Sequence, residues 1–331
     1  MSYRTLLPLL ALLLPSLHGC AAKAPAGCQA GADCESGVCN TDGTCGGATT
    51  TSTSSGMGTG GSGGAGGAGA TTTSSGGTGG DGSGGSGGGG ACSPPNNDGT
   101  ITQVELPVAV GLHENFSAAA PAMKMTLPVD TVGKVGPGGE HVWDLSAKIA
   151  GEASEKVETL PVTGQWFAAS YPGATYCSRL SSTADLLGVF ESSAGALLLR
   201  GVASPADGPS ATRLVYTTPI KVLVFPIKEG GTWSTLSAVT GKAQGITIGG
   251  IYNEQYDSKV DAHGTMKTPF ATFPVVRIRV ARTAFLNGIT TTSHRFVFVT
   301  ECIGTVATMV SNDYEMTDEF TTAAEVSRLA P

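Results

Sequence analysis

Eight cysteines are the side chains of this 331-residue chain best suited to chemistry, and their spacing sorts them into groups. Cys28, Cys34, Cys39 and Cys45 are separated by five, four and five residues, in a stretch rich in Gly, Asn and Asp with few apolar side chains. Such a stretch takes a fixed shape only through crosslinks, so two disulfides are expected. Structural zinc favours shorter gaps within each ligand pair, and exported thiols oxidise; disulfides are therefore expected over zinc. Of the three possible connectivities, the interleaved one, Cys28 with Cys39 and Cys34 with Cys45, is the expected pairing. Cys92, Cys177 and Cys302 are scattered. A Cys177–Cys302 bridge is expected within the folded region, leaving Cys92 free or intermolecular unless it captures Cys177 or Cys302 instead.

Patterns for nucleophilic catalysis are weaker. Gly60-Gly61-Ser62-Gly63-Gly64 and Gly84-Gly85-Ser86-Gly87-Gly88 satisfy G-x-S-x-G, but that motif works only on a strained strand-to-helix turn, and both copies lie in a low-complexity run. His113, His141, His263 and His294 are isolated, with no H-E-x-x-H arrangement. Asp313, Glu315, Asp318 and Glu319 form an acidic group that lacks the glycine turn of a calcium loop. No catalytic residue, cofactor or metal site is expected.

Two groups are open to a binding role. Trp143, Trp166 and Trp233 could line a sugar-stacking face, but filling a core is the expected use of such large apolar rings. Arg277, Arg279, Arg282 and Arg295 could bind an anion, yet Glu254, Asp257 and Asp261 lie where a neighbouring strand would neutralise them, so a solvated face is expected.

The elements that carry these residues begin with an export signal. Arg4 precedes an apolar run over 6–14, too short to span a bilayer, and small residues follow. Leu17-His18-Gly19-Cys20 resembles the bacterial lipobox, in which the cysteine is lipidated and becomes the mature N-terminus; His18 departs from that pattern. The expectation is a signal peptide over 1–19 and lipidation of Cys20. The competing reading is cleavage among 22–26, which discards Cys20. The run Asp33-Cys34-Glu35-Ser36-Gly37-Val38-Cys39, followed by Asp42-Gly43-Thr44-Cys45, resembles the short cysteine-rich repeat of myxobacterial-type lipoproteins, placed between lipid anchor and Gly/Ser/Thr spacer. That resemblance implies an outer-membrane lipoprotein, and Ala21 after the cysteine is similar to anchors not retained in the inner membrane. It implies nothing about activity.

Residues 20–45 thus read as anchor and disulfide module, and 46–91 as a spacer. Glycine supplies about half of that spacer and Asp81 is its single charge, so no core can offset its ordering entropy and a disordered linker is expected. Residues 92–331 read as one domain. It holds 17 Lys and Arg against 22 Asp and Glu, a formal charge of −5 with no basic stripe, which argues against nucleic acid as a partner.

Val275-Val276-Arg277-Ile278-Arg279-Val280 alternates with period two, so Val276, Ile278 and Val280 are expected inward and Arg277 and Arg279 in water. Further strands are expected over 101–110, 141–149, 186–192, 196–203, 213–217, 221–227, 243–248, 252–263, 294–300 and 305–311, with a short helix over 321–329. A wide hairpin is expected between 257 and 285, its turn running through Gly264, Met266, Thr268 and Pro269. The stretch from Gly264 to Arg277 and the Val142-Trp143-Asp144-Leu145 strand resemble segments of uncharacterised secreted β-domains of bacteria. The expected fold is all-β, an antiparallel β-sandwich or barrel. The function read from these features is a lipid-tethered envelope protein, binding or structural, with a protein or glycan partner. A secreted hydrolase or glycan-binding module acting on extracellular polymer is the alternative.

Overall fold

A computed structural model describes residues 95–106, 108–120, 127–248 and 252–331. The expected signal peptide, the lipidation site Cys20, the module holding Cys28, Cys34, Cys39 and Cys45, and the spacer lie outside the described residues, as does Cys92.

Alternating side chains put the chain into strands, and the longest alternation makes the central element: Tyr252–Lys267 paired with Thr272–Leu286. The register runs from Tyr252 opposite Leu286 to Lys267 opposite Thr272, so the turn occupies only 268–271. There the Thr268 N–H donates to the Ala271 carbonyl, and the Thr268 hydroxyl accepts the Phe270 and Ala271 N–H groups. The expected turn was too wide; Gly264 and Met266 are strand residues. Glycine is needed at 264 because His141–Asp144 runs parallel beside Gly264–Lys267, and a Cβ would stand 2.0 Å from the His141 carbonyl oxygen.

Antiparallel strands extend the hairpin on both sides. Ile289–Thr300, Gly304–Ser311, Thr322–Leu329 and His113–Ala119 follow Thr272–Leu286 in that order. On the other side come Thr232–Ala243, Arg213–Val224, Ala196–Ala203, Leu187–Ser192 and Tyr176–Arg179. One stretch closes the ring: Ala153–Glu158 pairs with His113–Ala119, and Leu160–Pro161, directly after it, pairs with Tyr176–Arg179. The result is an antiparallel, nearly closed barrel-like sheet, the barrel form of the expected all-β class, with no α-helix among the described residues. The helix expected over 321–329 is a strand. Ala323, Val326 and Leu329 mimic helical spacing, but Glu325 and Arg328 between them are buried too, because both faces of this strand are covered.

Both faces of the sheet are covered at its centre. On the concave face Val260, Val276, Ile278 and Val299 meet Tyr176, Leu197 and Leu223 from the far wall, together with Ile101 and Ile227. On the outer face Phe296, Phe298, Met309 and Val326 lie under Trp143, Leu127 and Phe320. Val276 and Ile278 are thus buried as expected and Val280 partly so, but Arg277 is not solvated: it is 5% exposed.

The Cys177–Cys302 bridge does not form. The Cys177 thiol is free and buried beside Phe167, Tyr171 and Val189, its Sγ 3.7 Å from the Leu160 carbonyl oxygen, and burial pushes its pKa up to about 11. Cys302 is held elsewhere. It occupies a left-handed turn position, φ 65°, where its N–H donates to the Glu105 carbonyl, and it is disulfide-bonded. Spacing alone could not show that Cys177 enters the core at the barrel closure while Cys302 sits on a turn next to the domain's first residues.

The closure also carries acid groups. Glu155 lies 3.5 Å from Arg179 across it, and Glu114 stands opposite Val157, where burial alone raises its carboxyl pKa from 4.5 to about 7. Between those two values the folded chain holds a proton that the unfolded chain has released, so stability falls as pH rises through that interval. Glu114→Gln should remove this fall and stabilise the protein by about 2 kcal/mol at pH 8 while changing little at pH 4. Urea unfolding at both pH values measures it; an equal difference at both would exclude Glu114 as the source.

Candidate functional site

A groove of about 470 Å³ crosses the outer face of the sheet. Period two decides its lining. Asp257 and Lys259 point outward from one strand, Thr232 and Ser234 from the strand before it and Arg279 from the strand after it, while Glu254, Tyr256 and Ser258 face the concave side. Lys259 is directly opposite both Thr232 and Arg279. Trp233 touches the groove, but its ring belongs to the concave core and its indole N–H donates to the Lys221 carbonyl at 2.9 Å.

The rim is built by the connection over 312–321, which is folded down onto the sheet. Asp318 pairs with Arg279 and lies 3.7 Å from the His294 ring nitrogen Nδ1. Glu319 accepts from Arg277 at 2.7 Å. The same guanidinium grips Asp261 through two bonds of 2.9 and 3.1 Å, donates to the Thr131 carbonyl, and lies over the Phe296 and Trp143 rings. The acidic group seen in the sequence is therefore divided by use. Asp318 and Glu319 anchor the connection, the Glu315 carboxylate caps the N–H groups of Met316 and Thr317, and burial raises the Asp313 carboxyl pKa against the opposing influence of Arg282.

Under the concave face lies a network of which the sequence foreshadows only the pairing of Glu254 with an arginine. Glu254, 2% exposed, accepts from the hydroxyls of Tyr216, Tyr252 and Tyr256 and from the Arg282 guanidinium. Burial opposes the charge on Glu254, but Arg282 and the tyrosine hydroxyls outweigh it and hold the carboxyl below its usual range. Tyr256 is pushed up to about 12 by burial and by that carboxylate. The signal was present: Tyr252, Glu254 and Tyr256 recur at every second position, which places all three on one face. The network is saturated around Glu254 and serves as a strut, holding the strand whose opposite side presents Asp257 and Lys259.

The four arginines separate accordingly. Arg277 and Arg279 belong to the outer face, Arg282 and Arg295 to the concave one, and the expected acidic partners are found at Asp261 for Arg277 and Glu254 for Arg282. The tryptophans serve the core, as expected: Trp143 is 1% exposed, Trp166 packs against Phe167, and Trp233 against the concave cluster. The histidines stand on four separate strands. His113 is exposed, His141 stacks on Trp143, His263 pairs with Glu229, and His294 is buried beside Asp318.

The crystal structure of a Bacteroides fragilis protein provisionally classed as exported, with a YmcC-like fold, is similar over 70% of this chain and 97% of its own, at 10% identity and a TM-score of 0.32. No family model and no curated protein matches the chain.

Removing one member of a buried pair leaves an uncompensated charge. Arg282→Met should therefore cost about 3–5 kcal/mol, and Tyr252→Phe, which deletes the bond donated to Glu254 and the one accepted from Arg282 without leaving a buried charge unpaired, about 2 kcal/mol. Chemical denaturation of the two variants measures this, and equal losses would contradict the role given to the Arg282–Glu254 pair.

Proposed function

We propose that the protein is an exported, lipid-anchored envelope protein whose barrel-like domain binds a ligand on its outer face. The observation that carries this reading is the order of parts along the chain: a positive residue, a short apolar run, a lipobox-like cysteine, a cysteine-rich module, a glycine-rich spacer, and then a domain that presents an open groove with charged and hydroxyl side chains in its lining. A slack spacer suits a domain that must reach its partner while its other end stays in a membrane. The groove gathers side chains able to donate and accept hydrogen bonds, and the one histidine at its rim, His294, is buried behind Asp318 instead of facing into it. Such a lining suits binding better than hydrolysis, which needs a nucleophile and its base in reach of one another.

Intact-mass analysis of the native protein should find a chain beginning at Cys20 with acyl groups attached, and the protein should enter the detergent phase on phase separation. Cys20→Ala should abolish both. An unmodified N-terminus downstream of residue 20 would remove the lipid anchor and leave only export.

A further inference from the structure

The groove combines two features that point to a ligand chemistry. Lys259 and Arg279 are directly opposed on adjacent strands, and like charges in that relation repel and destabilise the pairing. Arg279 is balanced by Asp318 and by Asp261 at 3.8 Å, but among the described residues no carboxylate lies within ion-pair distance of Lys259. An exposed ammonium is thus held beside a guanidinium in the groove lining, where an anionic group on a ligand could pair with it. The second feature surrounds that pair. Asp257 and Asp318 present carboxylates, and Thr232 and Ser234 present hydroxyls. Gln255 donates to both Ser234 and Asp257, fixing these two acceptors relative to each other.

Resting on the reading of this face as a binding site, we propose that the groove takes an acidic sugar unit of a glycan. Its carboxylate lies between Lys259 and Arg279, and its ring hydroxyls donate to Asp257 and Asp318 and accept from Thr232 and Ser234. A ligand that brings only negative charge would meet repulsion from the two aspartates. One that brings only hydroxyls would leave the Lys259 ammonium unanswered. A uronic-acid ring supplies both an anion and several O–H donors on one rigid frame, at a size suited to a groove of about 470 Å³. Because the Trp233 ring faces the concave core, recognition works through charge and hydrogen bonds without ring stacking.

The test is calorimetric or NMR titration of the full-length protein with tri-galacturonate, with the carboxyl-reduced trisaccharide, and with tri-glutamate. Tri-galacturonate should bind, and each of the other two should bind at least about tenfold more weakly, as expected for loss of one charge-assisted contact. Lys259→Gln should weaken tri-galacturonate about tenfold and reduce the salt dependence of binding. Asp257→Asn should weaken tri-galacturonate but not tri-glutamate. Both side chains are exposed, and circular dichroism of the variants confirms that they fold. Equal binding of tri-glutamate would assign the groove to acidic peptides and overturn the proposal. So would no binding of tri-galacturonate at about 10 mM, or binding unchanged in Lys259→Gln. Lipidation of Cys20 is read separately by mass, so failure of the anchor and failure of the ligand assignment are distinguishable.

Discussion

Arg277 is the residue on which the outer half of the molecule depends. Its guanidinium has been taken almost wholly out of water, which is tolerable only because every side of it is answered: Asp261 and Glu319 carry opposite charge, the Thr131 carbonyl accepts, and two aromatic rings lie against its faces. These partners come from four separate parts of the chain. One ion therefore ties the sheet to the segment bearing Thr131 and Trp143 and to the connection that carries Glu319 and Phe320. Removing a partner would leave the charge buried, so the elements hold together as a set.

The groove is a consequence of that set. The 312–321 connection lies on the sheet because Glu319 meets Arg277 and Asp318 meets Arg279, and Asp318 forms the groove's rim. On the opposite side of the same strands, Glu254 is satisfied by Arg282 and three tyrosine hydroxyls. The strand Tyr252–Lys267 thus alternates two kinds of polar side chain over 254–259, with Glu254 buried on the inward side and Asp257 and Lys259 exposed on the outward side. Two-residue periodicity is what keeps them apart.

How much of this was legible before the structure depended on distance along the chain. The alternation around Val276 and Ile278 was local, and it placed those two residues correctly. The same alternation sent Arg277 to water, because nothing local reveals that a segment beginning more than 140 residues earlier covers that face. The final strand read as a helix for a related reason: it is buried on both faces, so its apolar residues need not alternate. The Cys177–Cys302 pairing rested on membership of one domain, a weaker condition than the approach of two Cα atoms that a disulfide requires.

By itself the sequence determined the class. Alternating β-branched and aromatic residues specify strands. That is a property of neighbours along the chain. Tertiary structure alone decided which faces are wet. Closure of the ring through 153–161, the covering of the outer face and the approach of Tyr216 and Arg282 to Glu254 all arise from strands separated in sequence. A side chain's cost or use depends on which groups surround it once the sheet has curled, and composition does not encode that geometry.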